Sequence, residues 1–375
     1  MRVAIVHDFL NQRGGAERVV AALHEMFPAA PIFTSILDRS TLWPPLRSAD
    51  IRVSWMQRLP GIQRHFKRYL PFYPLVFDRL DLSGYDLVLS SSSAFAKAAR
   101  SPRGGVHACY CHTPARFVWN YDHYVEREGF GPVVRKTLPW VIRALRRWDL
   151  KTADRPTAYV ANSTAVADRI RRIYGRPSAV VPPPVDVQRF RDASAQTGDY
   201  YVIISRLNAY KRIHLAVEAF NRLRQPLLIV GEGPHRPALE RAAGPTVRLL
   251  GHLDDREVTE LLVGCRALIF PGEEDFGITL VEANAAGRPA IAYQGGGALD
   301  TVIPGTTGIF FTEPTADCLA EAVTRSTRVS WDRAEIRRHA AQFDVPAFRD
   351  HMERFLRTLV PTSLAPAPSE AAVSR

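Results

Sequence analysis

Short apolar runs alternate with amphipathic stretches along almost the whole of this chain. Residues 3–6 (Val-Ala-Ile-Val) form a continuous apolar run ending at His7-Asp8. From about Ala16, the residues Ala16, Val19, Val20, Leu23 and Phe27 recur at near-helical spacing. The pattern returns at residues 87–89, leading into Ser90 to Ser93, and at 106–110, leading into His112-Thr113-Pro114. It returns again at 158–161, leading into Asn162-Ser163-Thr164, a good helix cap. It restarts with apolar runs at 201–205, 227–230, 247–250, 267–270 and 290–293, and a helix from about His214. Repeated strand–helix units imply a parallel sheet with helices on both faces.

The alternation breaks at Val181-Pro182-Pro183-Pro184-Val185-Asp186. Proline fixes φ and removes a donor, so this reads as a stiff, extended connector, continued by the polar residues 191–199. The expectation is an α/β protein of two doubly wound, Rossmann-like domains, 1–185 and 186–345. A C-terminal helix over 346–360 is expected to pack back toward the first domain. The tail 361–375, rich in Ala, Pro and Ser, is expected to be disordered. Ligands of such sheets bind outside the carboxyl ends of the strands. Every polar motif above follows a strand, so the motifs of both halves are expected to converge on a cleft between facing domains.

Composition changes this picture mainly through charge. With 375 residues, 46% of them hydrophobic, the chain can fill two cores. No run of 18 apolar residues occurs, so no transmembrane helix is expected. Acid enters at Asp8, too early for a signal peptide. Cys109, Cys111, Cys265 and Cys318 form neither a disulfide framework nor a zinc-ligand spacing, and suit a reducing cytoplasm. The formal charge of +11 suggests an acidic partner. Residues 58–79 hold five bases and one acid among Leu59, Phe66, Tyr69, Leu70, Phe72 and Tyr73. Residues 135–155 hold seven bases and two acids around Leu138, Trp140, Val141, Ile142, Leu145 and Trp148. Bases interleaved with aromatics suit an anionic membrane interface, and equally an amphipathic helix with a solvated face. Peripheral attachment to the inner face of the cell membrane is the expectation taken forward.

The candidate chemistry lies where strands end. Glu274-Asp275-Phe276-Gly277-Ile278-Thr279-Leu280-Val281-Glu282 places an acidic loop between a short buried strand and a helix start, with backbone N–H groups facing outward for an anion. Ser205-Arg206-Leu207-Asn208-Ala209-Tyr210-Lys211-Arg212 follows the first strand of the second half. Arg206 offers a bidentate fork and Lys211 a mobile point charge to one anionic group. Gly231-Glu232-Gly233-Pro234 and Gly295-Gly296-Gly297 also follow strands, which permits close backbone approach. Together these features suggest a diphosphate site. Gly14-Gly15 precedes the first helix, where it either opens space for a ligand or makes the turn. G-x-G-x-x-G is absent.

These motifs, in this order, resemble the retaining glycosyltransferases of family 4. Glu274 to Glu282 is similar to that family's E-x7-E signature, and Arg206 and Lys211 to its diphosphate-binding pair. The Gly14-Gly15 pair, the Gly231 loop and residues 182–186 fall in the family's order. His112-Thr113-Pro114 with Arg116 and Trp119 resembles the bacterial polysaccharide and O-antigen mannosyltransferases. The resemblance covers all but the last fifteen or so residues. It implies a GT-B fold with a nucleotide-sugar donor held chiefly by the second domain. Glu274 would contact the sugar hydroxyls and Glu282 the ribose hydroxyls. Arg206 and Lys211 would neutralise the diphosphate leaving group. The amides around Gly277, Ile278, Thr279 and Leu280 would add helix-dipole stabilisation. His112 would face the sugar, and Gly14 and Gly15 would let phosphates approach the first domain.

Breaking an anomeric bond develops positive charge on the sugar and negative charge on the diphosphate. The chain supplies cations for the latter and carboxylates for the sugar hydroxyls, with no obvious nucleophile for a double displacement. The expected reaction is therefore transfer of a hexose with retention, most plainly mannose from GDP-mannose, to a lipid-linked or polysaccharide glycan. A UDP-sugar is the alternative donor. No cofactor and no metal are expected, although Glu273-Glu274-Asp275 could attract a hard cation. A nicotinamide oxidoreductase would need the missing glycine fingerprint. A silent binding protein would be expected to lack Glu274, Arg206 or Lys211. Nucleic-acid binding lacks any recognised module. His7 and Asp8 end the first strand and suit either a ligand or a structural hydrogen bond. Trp119 and Tyr121 suit an acceptor pocket or packing.

Overall fold

The computed structural model describes residues 1–100, 104–119, 132–191 and 197–360, with the side chains of 132–137 excepted. The tail 361–375, Tyr121 and residues 192–196 of the polar connector therefore lie outside the described residues. The chain divides into two compact units. The first comprises Met1–Asn162, Val166–Pro182 and the chain from Phe348 onward; the second comprises Ser163–Ala165 and Pro183–Ala347.

The first unit is built on seven parallel strands: β1 (Val3–His7), β2 (Ile32–Thr34), β3 (Ile51–Val53), β4 (Leu87–Ser92), β5 (Val106–Cys111), β6 (Ala158–Ala161) and β7 (Ser178–Val180). Their order is β3-β2-β1-β4-β5-β6-β7. The unbroken apolar runs of β1 and β4 follow from burial on both faces. Val3 and Ile5 face one core with Val19, Val20 and Leu23 of the helix Gly15–Met26. Ala4 and Val6 face the opposite core with Tyr73, Phe77 and Leu145. The helix Val345–Leu359 lays Phe348, Met352 and Leu356 into the first of these cores, one residue every four, as an amphipathic helix must.

The second unit carries β8 (Tyr201–Ile204), β9 (Leu227–Val230), β10 (Val247–Gly251), β11 (Leu268–Phe270), β12 (Ala290–Tyr293) and β13 (Gly308–Phe311). All are parallel, in the order β10-β9-β8-β11-β12-β13. Here too alternate residues divide two cores: Val202, Leu268 and Phe270 face one side, Tyr201, Ile203 and Ile269 the other. Both sheets are thus doubly wound α/β sheets, as the alternation predicts. Strands β2, β3, β7 and β13 were not expected from the pattern.

In each sheet the strand order reverses at one place, between β1 and β4 in the first unit and between β8 and β11 in the second. Such switch points leave a crevice outside the carboxyl ends of the two strands, where ligands bind.

The two basic aromatic segments prove to be neighbours. Residues 62–78 fold as short helical turns, Ile62–His65, Phe66–Phe72 and Tyr73–Asp78. They share a core with Leu145 and Trp148 of the helix Pro132–Lys151. Trp148 Nε1 donates to Asp78 at 3.1 Å, and Arg155 pairs with the same carboxylate at 2.5 Å.

Candidate functional site

The second unit's switch point is shaped by loops that pack on one another through backbone. Gly231 takes φ +127°, and a Cβ there would stand 2.0 Å from the Ser205 carbonyl oxygen. The loops after β8 and β9 are tied by Ser205 N–H to Val230 O and Leu207 N–H to Glu232 O, at 3.0 and 2.9 Å. A Cβ on Gly297 would lie 2.2 Å from Phe276 Cα, and the Gly297 amide donates to the Glu274 carbonyl at 2.9 Å. The space at these glycines is taken by neighbouring protein backbone. Their part is to seat the Arg206 loop and the Glu274 loop. Gly272 does the same for Lys211, whose Cα a Cβ would approach to 3.0 Å.

On this frame Lys211 closes the 3-10 turn Ala209–Lys211 and forms an ion pair with Glu274. Arg212 follows in the left-handed region, φ 54°, with its guanidinium 4.9 Å over the Tyr293 ring. Arg206 is exposed and makes no side-chain hydrogen bond or ion pair among the described residues. Gly277, at φ +87°, caps the helix Ile278–Ala285, with Ile278 and Thr279 half-buried at its start and Leu280 in the core. Glu282 is buried one turn further on, 3.2 Å from the Arg189 guanidinium, which also lies 3.7 Å from Asp255. The region therefore offers one solvated cation, one cation shared with a carboxylate, and the N-terminus of a helix. That set suits an anion of more than one charge beside a polar, uncharged body. No group of three His, Cys, Asp or Glu side chains among the described residues could hold a metal ion.

The first unit's switch point is buried and polar. Asp8, at the end of β1, accepts backbone N–H groups from Ser93, Ala94, Phe95 and Ala96 at 2.5, 3.0, 2.7 and 2.6 Å. It fixes the turn after β4, a structural role. His7 Nδ1 lies 3.0 Å from the Ser91 carbonyl and 3.2 Å from its hydroxyl, and that hydroxyl lies 2.8 Å from His112 Nε2. Glu17 is 1% exposed, 3.8 Å from His7 Nε2, and a Cβ on Gly14 would come within 2.9 Å of its carboxylate. Gly14 therefore makes room for Glu17, at the third position of the helix it caps. Burial alone would lower the His7 pKa. Glu17, then Asp8 and the Ser91 carbonyl, outweigh it and raise the value above 6.5. His107, hydrogen-bonded to Ser90 at 2.7 Å, has no such carboxylate, and burial takes it down to about 3.

The structure brings Lys211, Glu274 and the Gly277–Leu280 helix start together, sets Glu282 against Arg189, and places His112 and Gly14 around one buried chain in the first unit. Trp119 is an internal tie, donating Nε1–H to Asp149 at 2.8 Å. Sequence reasoning missed Arg189, which sits in the 3-10 turn Gln188–Phe190 with no periodic signal, and Ser91, hidden among the serines ending β4. It also missed Glu17, although a glutamate three residues after a helix cap is a recognisable spacing.

Residues 13–189 match the family described as Glycosyltransferase Family 4, and residues 185–342 that described as Glycosyl transferases group 1. The chain is 28% identical over 321 residues to the O-antigen chain mannosyltransferase C of Escherichia coli, covering 78% of this chain and 80% of the relative. It is 30% identical over 204 residues to the glycogen synthase of Mycobacterium tuberculosis (strain ATCC 25618 / H37Rv), spanning 50% of this chain and about half, 49%, of that relative's length. Among solved structures it superposes on Anabaena Alr3699/HepE in complex with UDP with a TM-score of 0.69 at 17% identity, covering 96% of this chain and 100% of the other. Two consecutive family matches over two doubly wound units, with the motifs at the sheets' switch points, identify the chain as a member of the family 4, group 1 glycosyltransferases of GT-B fold.

Proposed function

We propose that this chain is a retaining hexosyltransferase that moves mannose from GDP-mannose to a lipid-linked or polysaccharide glycan. The observation that carries the reading is the grouping of Arg206, the Lys211–Glu274 pair and the Gly277–Leu280 helix start at one switch point. Arg206, Lys211 and the helix amides suit the diphosphate; Glu274 suits the sugar hydroxyls, and Glu282, held by Arg189, the ribose. As the bond from C1 to the phosphate oxygen breaks, its electron pair leaves with the diphosphate. The acceptor hydroxyl attacks C1 from the same face and gives its proton to the departing phosphate oxygen. The O-antigen mannosyltransferase likeness favours mannose; the glycogen synthase likeness favours a glucosyl donor as the second reading. Thermal shift against GDP-, UDP- and ADP-sugars, followed by transfer assays with intact membranes and NMR of the product's anomeric centre, tests it. GDP-mannose should stabilise the protein and give a product of retained configuration. No turnover of any nucleotide-sugar, with or without lipid acceptor, would sink the proposal.

In the same reading we propose that the acceptor side meets an anionic membrane surface through the first unit. Trp140 is 74% exposed on the helix Pro132–Lys151, and Trp55, Phe72 and Leu75 are each exposed beside Arg64, Lys67 and Arg68. Arg143, Arg146, Arg147, Pro139, Ile142 and Leu150 line a groove of about 440 Å³ along the same helix. Exposed aromatics rimmed by bases suit the headgroup region. No described helix is long and apolar enough to cross a membrane. Sedimentation with vesicles of anionic and of zwitterionic lipid reads this out. Binding should require the anionic lipid and weaken in Trp140→Ala; equal pelleting with both vesicle types would remove the membrane from the account.

A further inference from the structure

Two buried histidines in the first unit share one serine, and the donor rules of that arrangement are restrictive. His7 and Ser91 are paired neighbours across β1 and β4, and His112 follows the end of β5. The Ser91 carbonyl can only accept, so His7 Nδ1, 3.0 Å away, carries a proton. The same N–H lies 3.2 Å from the Ser91 hydroxyl oxygen and supplies it with a donor. The hydroxyl hydrogen then has His112 Nε2, 2.8 Å away, as an acceptor within reach. In that arrangement His112 Nε2 accepts and the neutral ring bears its proton on Nδ1. The remaining nitrogen of His7 faces Glu17 at 3.8 Å, an ion-pair distance and not a hydrogen bond. Glu17, His7 and Ser91 are almost wholly buried, and His112 is 8% exposed.

We propose that Ser91 is a positioning residue for His112, and that a one-way hydrogen-bonded chain from His7 through Ser91, with Glu17 as its charged neighbour, locks His112 as its Nδ1–H tautomer. The chain begins at a fixed negative charge. Glu17 favours the doubly protonated His7, whose Nδ1–H keeps the Ser91 oxygen supplied, and Asp8 adds a second carboxylate to the field at His7. The consequence for function rests on the role that the family resemblance implies for His112: a locked tautomer fixes which ring nitrogen donates and which accepts. The Tyr110 ring, 5.1 Å from the imidazole centroid, packs beside it. Each link is a polar contact that can be removed singly.

The test is a ¹⁵N NMR spectrum of the full chain labelled at histidine, with His112 assigned by comparison with His112→Gln. The wild type should show His112 Nε2 at the shift of an acceptor nitrogen and Nδ1 at that of a protonated one. Ser91→Ala should turn this into a tautomer mixture and lower kcat about tenfold, the worth of roughly one buried hydrogen bond, with donor KM little changed. Glu17→Gln should lower the pKa of His7 and loosen the His112 lock more weakly. Ser91→Thr, which keeps the hydroxyl, should restore the wild-type pattern. An Nε2–H tautomer in the wild type, or an unchanged ¹⁵N pattern in Ser91→Ala, overturns the proposal; so does a lost lock with kcat unaffected. The spectra need no substrate, so a protein that turns over no nucleotide-sugar but shows the lock separates a failed transferase reading from a failed chain.

Discussion

At the β1/β4 edge of the first unit the polar side chains are buried and held in directional hydrogen bonds, whereas at the β8/β11 edge of the second they are half-exposed and ionic. Both edges are switch points of parallel sheets, so topology alone does not set this difference. The loops do. In the second unit, glycines bring four loops, after β8, β9, β11 and β12, into backbone contact and leave long, flexible side chains such as Arg206 to meet solvent. In the first, the residues are short or ring-shaped and sit within the strands or one residue beyond, so register fixes them. A flexible ionic site suits a ligand that brings its own charge and must leave with more of it. A rigid buried chain suits the choice of one proton position. The two edges therefore suit different tasks, charge neutralisation in the second unit and orientation in the first.

The largest expected effect breaks the ionic side of this contrast. Glu274→Ala removes the carboxylate that pairs with Lys211, and with it a competitor of a diphosphate for that ammonium. Nucleoside diphosphate binding should hold or tighten, while transfer should fall by about 10²–10³, the usual worth of a group that acts on the developing transition state. Lys211→Ala should do the reverse to binding, leaving the Glu274 carboxylate beside the diphosphate without its cation. Calorimetry with GDP and with UDP, alongside kcat, separates these outcomes. Activity of Glu274→Ala within a few-fold of wild type would remove Glu274 from the sugar and return the pair to a structural role. Melting temperature should fall in either variant, because the two side chains are only 15% and 17% exposed and removing one leaves the other charge less compensated.

Much of the ionic edge was legible in the sequence, and little of the buried one. Glu274, Lys211 and the Ile278 helix start could be placed because each follows an apolar run, and runs buried on both faces are the strongest local signal of a parallel sheet. The same logic placed β1, β4, β5, β6, β8, β9, β10, β11 and β12. It missed β2, β3 and β7, each three residues long and too short to show a period, and β13, which follows a turn without a polar motif. Glu282 was visible, but its partner Arg189 was not, since the contact depends on how a connector folds back. His7 and Ser91 meet across a gap of 84 residues through sheet register, which no local pattern encodes. Gly14 was read as space for a ligand or a turn. Its neighbour is Glu17, a relation that becomes visible only once the helix has a start.

A smaller effect sharpens the buried side, because its two strand histidines should bend stability with pH in opposite directions. His107 has a folded pKa near 3 against an ordinary 6.5, so between those values the unfolded chain binds a proton that the folded one refuses. Its contribution to stability is full above pH 6.5 and is lost as pH falls below it, by at most about 1.4 kcal/mol per pH unit. His7 is raised, so its ion pair with Glu17 contributes fully below pH 6.5 and is lost as pH rises through the folded value. Chemical denaturation between pH 5 and 8 reads both. Relative to wild type, His107→Gln should flatten the fall in stability on the acid side, since glutamine still offers a partner to Ser90. Glu17→Gln should cost most below pH 6.5 and progressively less above it. If the Glu17→Gln deficit instead grew with pH, Glu17 would not be holding a charged His7, and the first unit's edge would be a chain of neutral groups with no anchoring charge.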